Sequence, residues 1–421
     1  MTTKRKDNKG RVLNDGEFQR KDGRYEYRYT DETGKRVSVY SWRLVKTDRE
    51  PPGKKRSEPL RDQEKQIQKD LADGLRTAEA GVMTVGDYYN LFVRSKGGIK
   101  KQSVACYERT YNKHVRERFH NRAISSVTHS ELTVYFSELM NVEGLAQSTA
   151  RTVYIILHYI FDSAFMDNLI RTDPTHNVLK KAKGSNTKPR KKKHCLTVPE
   201  QTTLMAFLAS KEKYKLWHEI ATVALGTGMR IGEIGALTWA DCDFEKRELH
   251  VRRTLTCYPD ADGQYHKHLC DVKTEAGERV IPMLEAVYAT LLDVRKKQLL
   301  HPVTCTPVDG ETGFVFLSKY GKPITGRAFD QALTAIRNAY NSSVQQKTIK
   351  PYDVISLPPI SAHTLRHTFC TRYCEVEPNV KIIQQIMGHA NAAVTMNIYN
   401  EATKEAVTGS FLSIEGKLKI S

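Results

Sequence analysis

Long apolar runs and CxxC cysteine pairs are missing from this 421-residue sequence, and its first residues do not predict a secretory leader. No stretch approaches the ~18 apolar residues of a membrane-spanning helix. The first ten residues, MTTKRKDNKG, are polar and charged where a secretory leader would be apolar. The eight cysteines are scattered without CxxC spacing, which favours reduced thiols in a cytosol. We therefore expect a cytoplasmic protein that does not contact a membrane.

Acidic residues are also too few to balance the basic ones. The 66 lysines and arginines against 48 aspartates and glutamates give a formal net charge of +18, spread along the chain. A basic protein of this size most often binds a polyanion, and nucleic acid is the commonest one. The length allows two or three domains, and the apolar fraction of 39% is enough for buried cores.

Residues 11–46 alternate in the way a β-sheet does. Tyr25, Tyr27 and Tyr29 are separated by charged residues, and Asp-Gly and Thr-Gly turn signals stand on either side. The pattern predicts a three-stranded antiparallel sheet, with the tyrosines packed against a helix that follows Pro59. The other face would then carry basic and aromatic residues suited to a DNA major groove. The candidate DNA-binding residues are Arg20, Lys21, Arg24, Arg28, Tyr40 and Trp42.

The next hundred residues carry helical patterns. Thr84 precedes the first of them and can cap it, and Asp173-Pro174 is predicted to end the last. Four or five helices of this length make a small bundle. Within it, helices are predicted over residues 104–115, 131–140 and 148–165.

A basic segment separates the bundle from the rest of the chain. Residues 180–193 hold eight lysines and arginines and no acid. Such a run is usually a solvated linker, and between two domains it can also follow a phosphate backbone. We expect both roles for a linker at residues 181–194. Its candidate DNA contacts are Lys188, Arg190, Lys191, Lys192 and Lys193.

From residue 196 onward the pattern becomes mixed. Helices are predicted at 199–208, 217–225, 284–298 and 326–340, and short strands around 249–252, 268–272 and 279–281. Four short segments stand out, namely TGMRIGEI at 227–234, Val272-Lys273-Thr274, HTLRHTF at 363–369, and Gly388-His389 followed by Tyr399. Each is weak alone, but Arg, Lys, His-x-x-Arg, Gly-His and Tyr in this order are far more specific.

With these motifs the chain resembles the tyrosine recombinase (phage integrase) family. The resemblance covers the helical region and the chain from Leu196 to about Thr403. The amino-terminal strands resemble the arm-binding domain of integrases from conjugative transposons. Met387 stands where many relatives have Leu, and Asn-Glu follows Tyr399 in place of the frequent Thr-His, but neither departure removes a reacting group.

The fold that this resemblance implies is multidomain. A small three-stranded β-sheet domain would occupy residues 1–75, and an α-helical core-binding domain residues 80–180. After the linker, a mixed α/β, mainly helical, tyrosine-recombinase catalytic domain would occupy residues 195–405. A carboxy-terminal tail, residues 406–421, carries apolar residues at helix-like spacing. In the family such a tail docks on a neighbouring protomer, and packing on its own domain is the alternative.

The resemblance also implies six catalytic residues, namely Arg230, Lys273, His363, Arg366, His389 and Tyr399. Phosphodiester cleavage places extra negative charge on the non-bridging oxygens, and preorganised cations stabilise it. Arg230 and Arg366 would grip the scissile phosphate, and Lys273 would protonate the leaving 5′-oxygen. Tyr399 would form a 3′-phosphotyrosine, which conserves the bond energy so that religation needs no ATP or other cofactor. The two histidines would bind the phosphate and help deprotonate the tyrosine, in a division that the sequence leaves open.

The implied function is integration and excision of a mobile element by site-specific recombination. Double-stranded DNA would bind at core and arm sites, and a homotetramer would act on two synapsed sites. The protein would be bacterial and associated with the nucleoid when bound. An excisionase and a host DNA-bending protein remain open as partners.

Three other interpretations stay open. A type IB topoisomerase shares the covalent chemistry but gains little from a separate amino-terminal domain. A catalytically silent DNA-binding regulator would not need all six residues. A zinc site is the third, because HxxxH puts two imidazoles on one helical face, but Arg366 would lie against the ion and His363 already has a role. The zinc candidates are His363, His367, Cys370 and Cys374.

Overall fold

The structure is a computed structural model that describes residues 5–95, 101–182, 195–260, 263–272, 277–345, 355–377 and 379–391, together with 393 and 396. The chain divides into two compact units, Met1–Pro189 and Arg190–Ser421. None of the helices within the described ranges is both long and apolar enough to cross a membrane.

The first unit begins with an antiparallel sheet and one helix. Its elements are β1 (Glu17–Gln19), β2 (Tyr25–Thr30), β3 (Arg36–Ser41) and α1 (Leu60–Ala72), with the strands in the order β1-β2-β3. Tyr25 pairs with Ser41 and Tyr27 with Val39, so both tyrosines point to one face of the sheet. There they are buried in a cluster with Leu60 of α1. The predicted sheet and its covering helix are confirmed.

The rest of the first unit is a helical bundle around an aromatic-rich core. Its helices are α2 (Thr77–Val82), α3 (Val85–Ser95), α4 (Lys101–Thr110), α5 (Arg116–Phe119), α6 (His129–Ser137), α7 (Gln147–Met166) and α8 (Val178–Ala182). Thr84 caps α3 as predicted, because its hydroxyl accepts from the backbone N–H of Asp87 at 3.1 Å. Single π-helical turns at 111–115 and 138–142 follow α4 and α6.

Helix α7 follows its predicted range of 148–165 closely, but Asp173-Pro174 is not what ends it. The helix ends at Met166, and Asn168 adopts a left-handed φ of 58°. The N–H of Leu169 then bonds to the carbonyl of Ala164 at 2.9 Å, which closes the helix end. Asn tolerates this conformation better than most residues, and this local signal was overlooked.

The second unit has seven described helices and two small sheets. The helices are α9 (Val198–Ala209), α10 (Lys215–Thr227), α11 (Ile231–Ala236), α12 (Glu285–Leu300), α13 (Gly326–Gln345), α14 (Ala362–Val376) and α15 (Val380–Met387). The strands are β4 (Cys242–Asp243), β5 (Glu248–Val251), β6 (Arg253–Pro259), β7 (Tyr265–Asp271) and β8 (Arg279–Pro282). They pair as β4-β5-β8 and as the hairpin β6-β7. The predictions placed no strand at β6.

The turn after α10 brings three elements of this unit together. Helix α10 packs against α14 and α12, and it ends at Gly228, which has a φ of 63°. A side chain at Gly228 would also collide with the ring of Phe369 on α14. Only glycine satisfies both demands, so the chain turns tightly here and places Met229 and Arg230 directly before α11.

Candidate functional site

Arg230 is oriented by the helix that it precedes. Its backbone N–H donates to Glu233 Oε2 at 2.8 Å, and its Nη1 donates to Glu233 Oε1 at 2.8 Å. Glu233 is only 3% exposed, whereas Arg230 keeps part of its side chain accessible. A buried carboxylate therefore fixes a partly exposed guanidinium in one direction.

Arg366 lies deeper than Arg230. It is 4% exposed on α14, and it donates from Nη1 to the carbonyl of Gly228 at 2.6 Å and from Nη2 to the carbonyl of Met387 at 2.5 Å. Burial, followed by the positive charge of Arg230, lowers the pKa of Arg366 to about 9. The group still carries its charge at neutral pH, and among the described residues it bonds to main-chain carbonyls rather than to a carboxylate.

The end of α15 is held by three arginines. Gly388 ends the helix with a φ of 61°, and the carbonyls of Ile386, Met387 and Gly388 belong to this helix end. Each accepts from a different guanidinium, namely those of Arg279 (2.7 Å), Arg366 (2.5 Å) and Arg230 (3.0 Å). The carboxyl end of a helix carries partial negative charge, which favours cations at this position. The Gly-His turn and the arginines thus form one unit.

His389 follows directly and is 6% exposed. Its backbone N–H donates to the carbonyl of Gln384 at 3.1 Å, and the Gln384 side chain donates back to the carbonyl of His389 at 2.9 Å. Burial first, and then the charges of Arg366 and Arg230, lower the pKa of His389 to about 3. Its imidazole is therefore neutral at physiological pH and can accept a proton or a hydrogen bond.

The amino-terminal sheet carries a second group of arginines, on the face that turns away from α1. Arg28 pairs in register with Ser38, and Glu26 with Tyr40, which places them on the face opposite to the buried tyrosines. The guanidinium groups of Arg20 and Arg24 lie 5.4 and 5.5 Å from the centre of the Tyr40 ring. The sheet thus presents cations stacked on aromatic rings.

These arginines are held by carboxylates. Glu26 is buried beneath them and pairs with Arg28 at 2.9 Å and with Arg20 at 3.6 Å. Arg24 pairs with Asp22 at 2.8 Å and also lies over the Trp42 ring. These contacts connect five of the six predicted side chains on this side of the sheet, and Lys21 is exposed in the neighbouring β1-β2 turn.

Comparison with known proteins agrees with this geometry. Residues 1–71 match the DNA-binding domain of Tn916 integrase, and residues 194–406 match the phage integrase family. The transposase from transposon Tn916 of Enterococcus faecalis is 33% identical over 406 residues, which is 96% of this chain and 95% of that protein. The transposase from transposon Tn1545 of Streptococcus pneumoniae has the same identity and coverage. The chain belongs to the phage integrase family.

Solved structures support this assignment. A Tn1549 transposon integrase in complex with circular intermediate DNA has a TM-score of 0.65 and 28% identity, covering 79% of this chain and 99% of that one. A lambda integrase tetramer bound to a Holliday junction shares the fold alone, with a TM-score of 0.53 and 17% identity over 91% of this chain and 94% of that one. The predicted family, fold class, enzyme class and function, a tyrosine recombinase that integrates and excises a mobile element, are confirmed.

The remaining predicted residues of this phage integrase family member are placed unevenly. His363 is exposed one turn before Arg366 on α14, with its ring 5.8 Å from that of His367. Lys273 and Tyr399 lie outside the described residues, as do the predicted linker contacts Lys188, Arg190 and Lys191–Lys193 and the tail at 406–421. Lys273 falls between the end of β7 and the start of β8 in the sequence.

The zinc interpretation of α14 finds no support in the described part of this integrase. No three of its four candidates, all of them described, bring their ligand atoms within 4.8 Å of one another. The group of three that does, His158, Asp162 and Asp173, lies in the first unit. In that group His158 Nδ1 lies 3.0 Å from an Asp173 oxygen and 2.9 Å from the Thr175 hydroxyl, so the ring already has partners.

Sequence reasoning missed Glu233 and Arg279 of this integrase. Arg279 is 7% exposed, and its Nη2 donates to Glu233 Oε2 at 2.8 Å. Strand β8 buries Arg279 and Ile281 and exposes the residues after each of them. An arginine at an inward position of a predicted strand was the available signal, because buried arginines are rare unless paired.

Proposed function

We propose that Arg230, Arg366 and His389 form the pocket for the scissile phosphate, and that this chain cleaves and rejoins DNA through Tyr399. One observation supports the proposal most directly. Arg366 and Arg230 bond to the neighbouring Met387 and Gly388 carbonyls, and Glu233, which is shared with Arg279, offsets only part of the positive charge of these arginines. Preorganised cations of this kind stabilise the charge that develops on the non-bridging oxygens.

The proposed step balances without a cofactor. The Tyr399 oxygen attacks phosphorus and forms a 3′-phosphotyrosine while the bond from phosphorus to the 5′-oxygen breaks. The tyrosine proton passes to a histidine, and Lys273 gives a proton to the departing 5′-oxygen. Negative charge of a bound phosphate offsets the arginines that depress the pKa of His389, so DNA binding raises that pKa toward the range in which proton transfer is effective. Exposed His363 would share the phosphate contact.

The proposed organisation keeps the predicted boundaries. Residues 1–75 would bind arm sites through the sheet, and residues 80–180 and 195–405 would bind core sites, with the basic linker at 181–194 following the phosphate backbone. The Tn1549 integrase was solved with circular intermediate DNA and the lambda integrase as a tetramer on a Holliday junction. By analogy, this chain would act as a homotetramer on two synapsed duplexes, with the tail at 406–421 docked on a neighbour.

Covalent trapping tests the proposal directly. The wild-type protein, mixed with genomic DNA of its host and denatured, should carry DNA whose 3′ ends map to one site when sequenced. Tyr399→Phe keeps the ring, so it should bind the same site and form no adduct. An adduct with the Phe variant would exclude Tyr399 as the nucleophile. Relaxation of a supercoiled plasmid that lacks the mapped site would instead favour the topoisomerase alternative.

A further inference from the structure

Arg279 connects three segments of the second unit through one guanidinium group. Its Nη2 donates to Glu233 on α11 at 2.8 Å, and its Nε donates to the carbonyl of Ile386 on α15 at 2.7 Å. Its Nη1 donates to the carbonyl of Gly277, just before β8, at 3.1 Å. With 3% of the side chain exposed, it has no surface left for a substrate.

Glu233 is shared between two arginines. Its Oε1 accepts from Arg230 Nη1, and its Oε2 accepts from Arg279 Nη2 and from the Arg230 backbone, all at 2.8 Å. Burial alone would raise the pKa of Glu233, but the bond to Arg279 and the charges of both arginines hold that pKa below its usual value. The carboxylate is therefore ionised, and Arg279 neutralises much of its charge.

We infer that Arg279 is a positioning residue for DNA cleavage, which keeps the charge of Arg230 available to the scissile phosphate. Without Arg279, the buried Glu233 carboxylate would have Arg230 as its main cation and would compete with the phosphate for it. The bond to Ile386 has a second effect, because it seats the end of α15 that precedes His389. This inference rests on the proposed function, in which Arg230 contacts the phosphate.

The guanidinium shape explains why arginine stands here. Its planar fork offers five N–H donors in fixed directions, and each of its three nitrogens donates to a different segment. A lysine ammonium could keep the charge beside Glu233, but it is a point charge on a flexible stem and would not reach the Ile386 and Gly277 carbonyls at the same time. Arg279→Lys should therefore restore part of the function that Arg279→Met removes.

The test compares two substrates that differ at one atom. One is a duplex carrying the cleavage site mapped by covalent trapping, and the other carries a methylphosphonate there, in which methyl replaces a charged non-bridging oxygen. The readout is single-turnover release of the 5′-hydroxyl strand by the full chain, together with the dissociation constant for the duplex. Arg279→Met should slow cleavage of the phosphodiester about 10- to 100-fold, a typical loss for a residue that orients a reacting group, and leave duplex binding unchanged.

The methylphosphonate separates positioning from loss of structure. Removing the oxygen charge lessens the need for Arg230, so the deficits of Arg230→Ala and Arg279→Met, each relative to wild type, should shrink together. Arg253→Met is the matched control, because Arg253 is another carboxylate-paired arginine of this unit, half-buried and paired with Asp241 at 3.4 Å and Glu311 at 2.9 Å. Any deficit of this control should be the same on both substrates.

Each outcome supports or overturns the positioning role of Arg279. An Arg279→Met deficit that is absent, or equal on both substrates, overturns the inference. If thermal unfolding shows that Arg279→Met does not fold, Arg279→Lys is judged by the same ratio of rates. If the wild type traps no DNA, or Arg230→Ala cleaves normally, the proposed function itself fails. If the wild type traps DNA and Arg230→Ala cleaves slowly, the proposed function stands. If the deficit of the Arg279 variants then does not shrink on the methylphosphonate as that of Arg230→Ala does, only the positioning role is wrong.

Discussion

The two arginine groups of this molecule are built in opposite ways. On the amino-terminal sheet, Arg24 and Arg28 are exposed or half-buried, and each pairs with a nearby carboxylate. In the second unit, Arg366 is buried and bonds only to main-chain carbonyls among the contacts described. Arg230 shares its carboxylate with a third arginine. Arg24 and Arg28 on the sheet therefore each have a carboxylate partner, whereas the three arginines of the second unit share one carboxylate among the described contacts and keep a net positive charge.

The difference shows what each site has to do. The guanidinium groups of Arg24 and Arg28 face water and salt, which screen their charge, so these arginines can exchange a carboxylate for a phosphate at little cost. Such a surface suits binding that forms and dissociates. In the second unit the cations are fixed before any phosphate arrives, and they need not reorganise when charge develops. That arrangement suits stabilisation of the charge that develops when a phosphodiester is cleaved.

The largest expected effect is on cleavage. Arg230→Ala or Arg366→Ala should lower the single-turnover cleavage rate about 100- to 1,000-fold, the usual cost of a lost charge-stabilising donor. Lys273→Ala should block cleavage too, but should recover on a 5′-bridging phosphorothioate, whose thiolate leaves without a proton. Equal recovery of all three variants would contradict the division of roles. Arg28→Ala on the sheet is the control, and it should cleave a short core-site duplex at the normal rate.

The next effect is on stability. Glu233→Gln should lower the free energy of unfolding by about 3–5 kcal/mol, because it breaks a buried pair and leaves the Arg279 charge without its partner. Glu26→Gln changes the corresponding carboxylate of the sheet, whose arginines can turn to solvent, so its loss should be clearly smaller. Urea unfolding of both full-length variants checks this. Equal losses in the free energy of unfolding would mean that Glu26 and Glu233 contribute equally to stability.

The features of the two arginine groups that depend on local sequence patterns could be predicted from the sequence. The alternation around Tyr27 gave the sheet, its buried face and the exposed arginines, and motif order gave Arg230, Arg366 and His389. Arg279 and Glu233 escaped because their roles come from contacts between distant segments, such as the 107 residues that separate Arg279 from Ile386. No periodicity carries that information.

The stability of the two units should respond to pH in opposite directions. Burial and nearby arginines lower the pKa of His389 to about 3, so below its usual value of 6.5 the unfolded chain binds a proton that the folded chain refuses. The second unit should therefore lose stability as the pH falls from 6.5 toward 3, by at most about 1.4 kcal/mol per pH unit and less where solvent screens the charges. Hydrogen exchange, corrected for its intrinsic pH dependence, measures this for each unit.

The stability of the amino-terminal sheet and α1 should change with pH in the other direction. Burial and the neighbouring Glu17 raise the pKa of Glu64 above its usual 4.5, so the folded chain holds a proton that the unfolded chain has released. Stability from this group is full below pH 4.5 and is lost as the pH rises through the raised value. Glu64→Gln should remove this slope from the first unit, and His389→Asn the slope from the second. Slopes that survive both substitutions would point to other groups.

The smallest expected effect concerns one exposed arginine. Arg28→Gln should leave folding intact and weaken binding of a duplex that carries the arm sites. If Arg28 makes one phosphate contact, the slope of log affinity against log salt should become shallower by about 0.9. Binding of a core-site duplex without arms is the control and should not change. An unaltered slope on the arm duplex would remove Arg28 from the proposed interface.

The three bonds at the end of α15 have a consequence for how this protein can vary. The arginines bind carbonyl oxygens of Ile386, Met387 and Gly388, which every amino acid supplies in the same place. Side chains at 386 and 387 can therefore change without altering the pocket, provided that they still pack. A different apolar side chain at position 387, such as leucine, should therefore leave the pocket unchanged. The position of the three arginines here depends on the path of the main chain, so the residue types at 386 and 387 can be substituted.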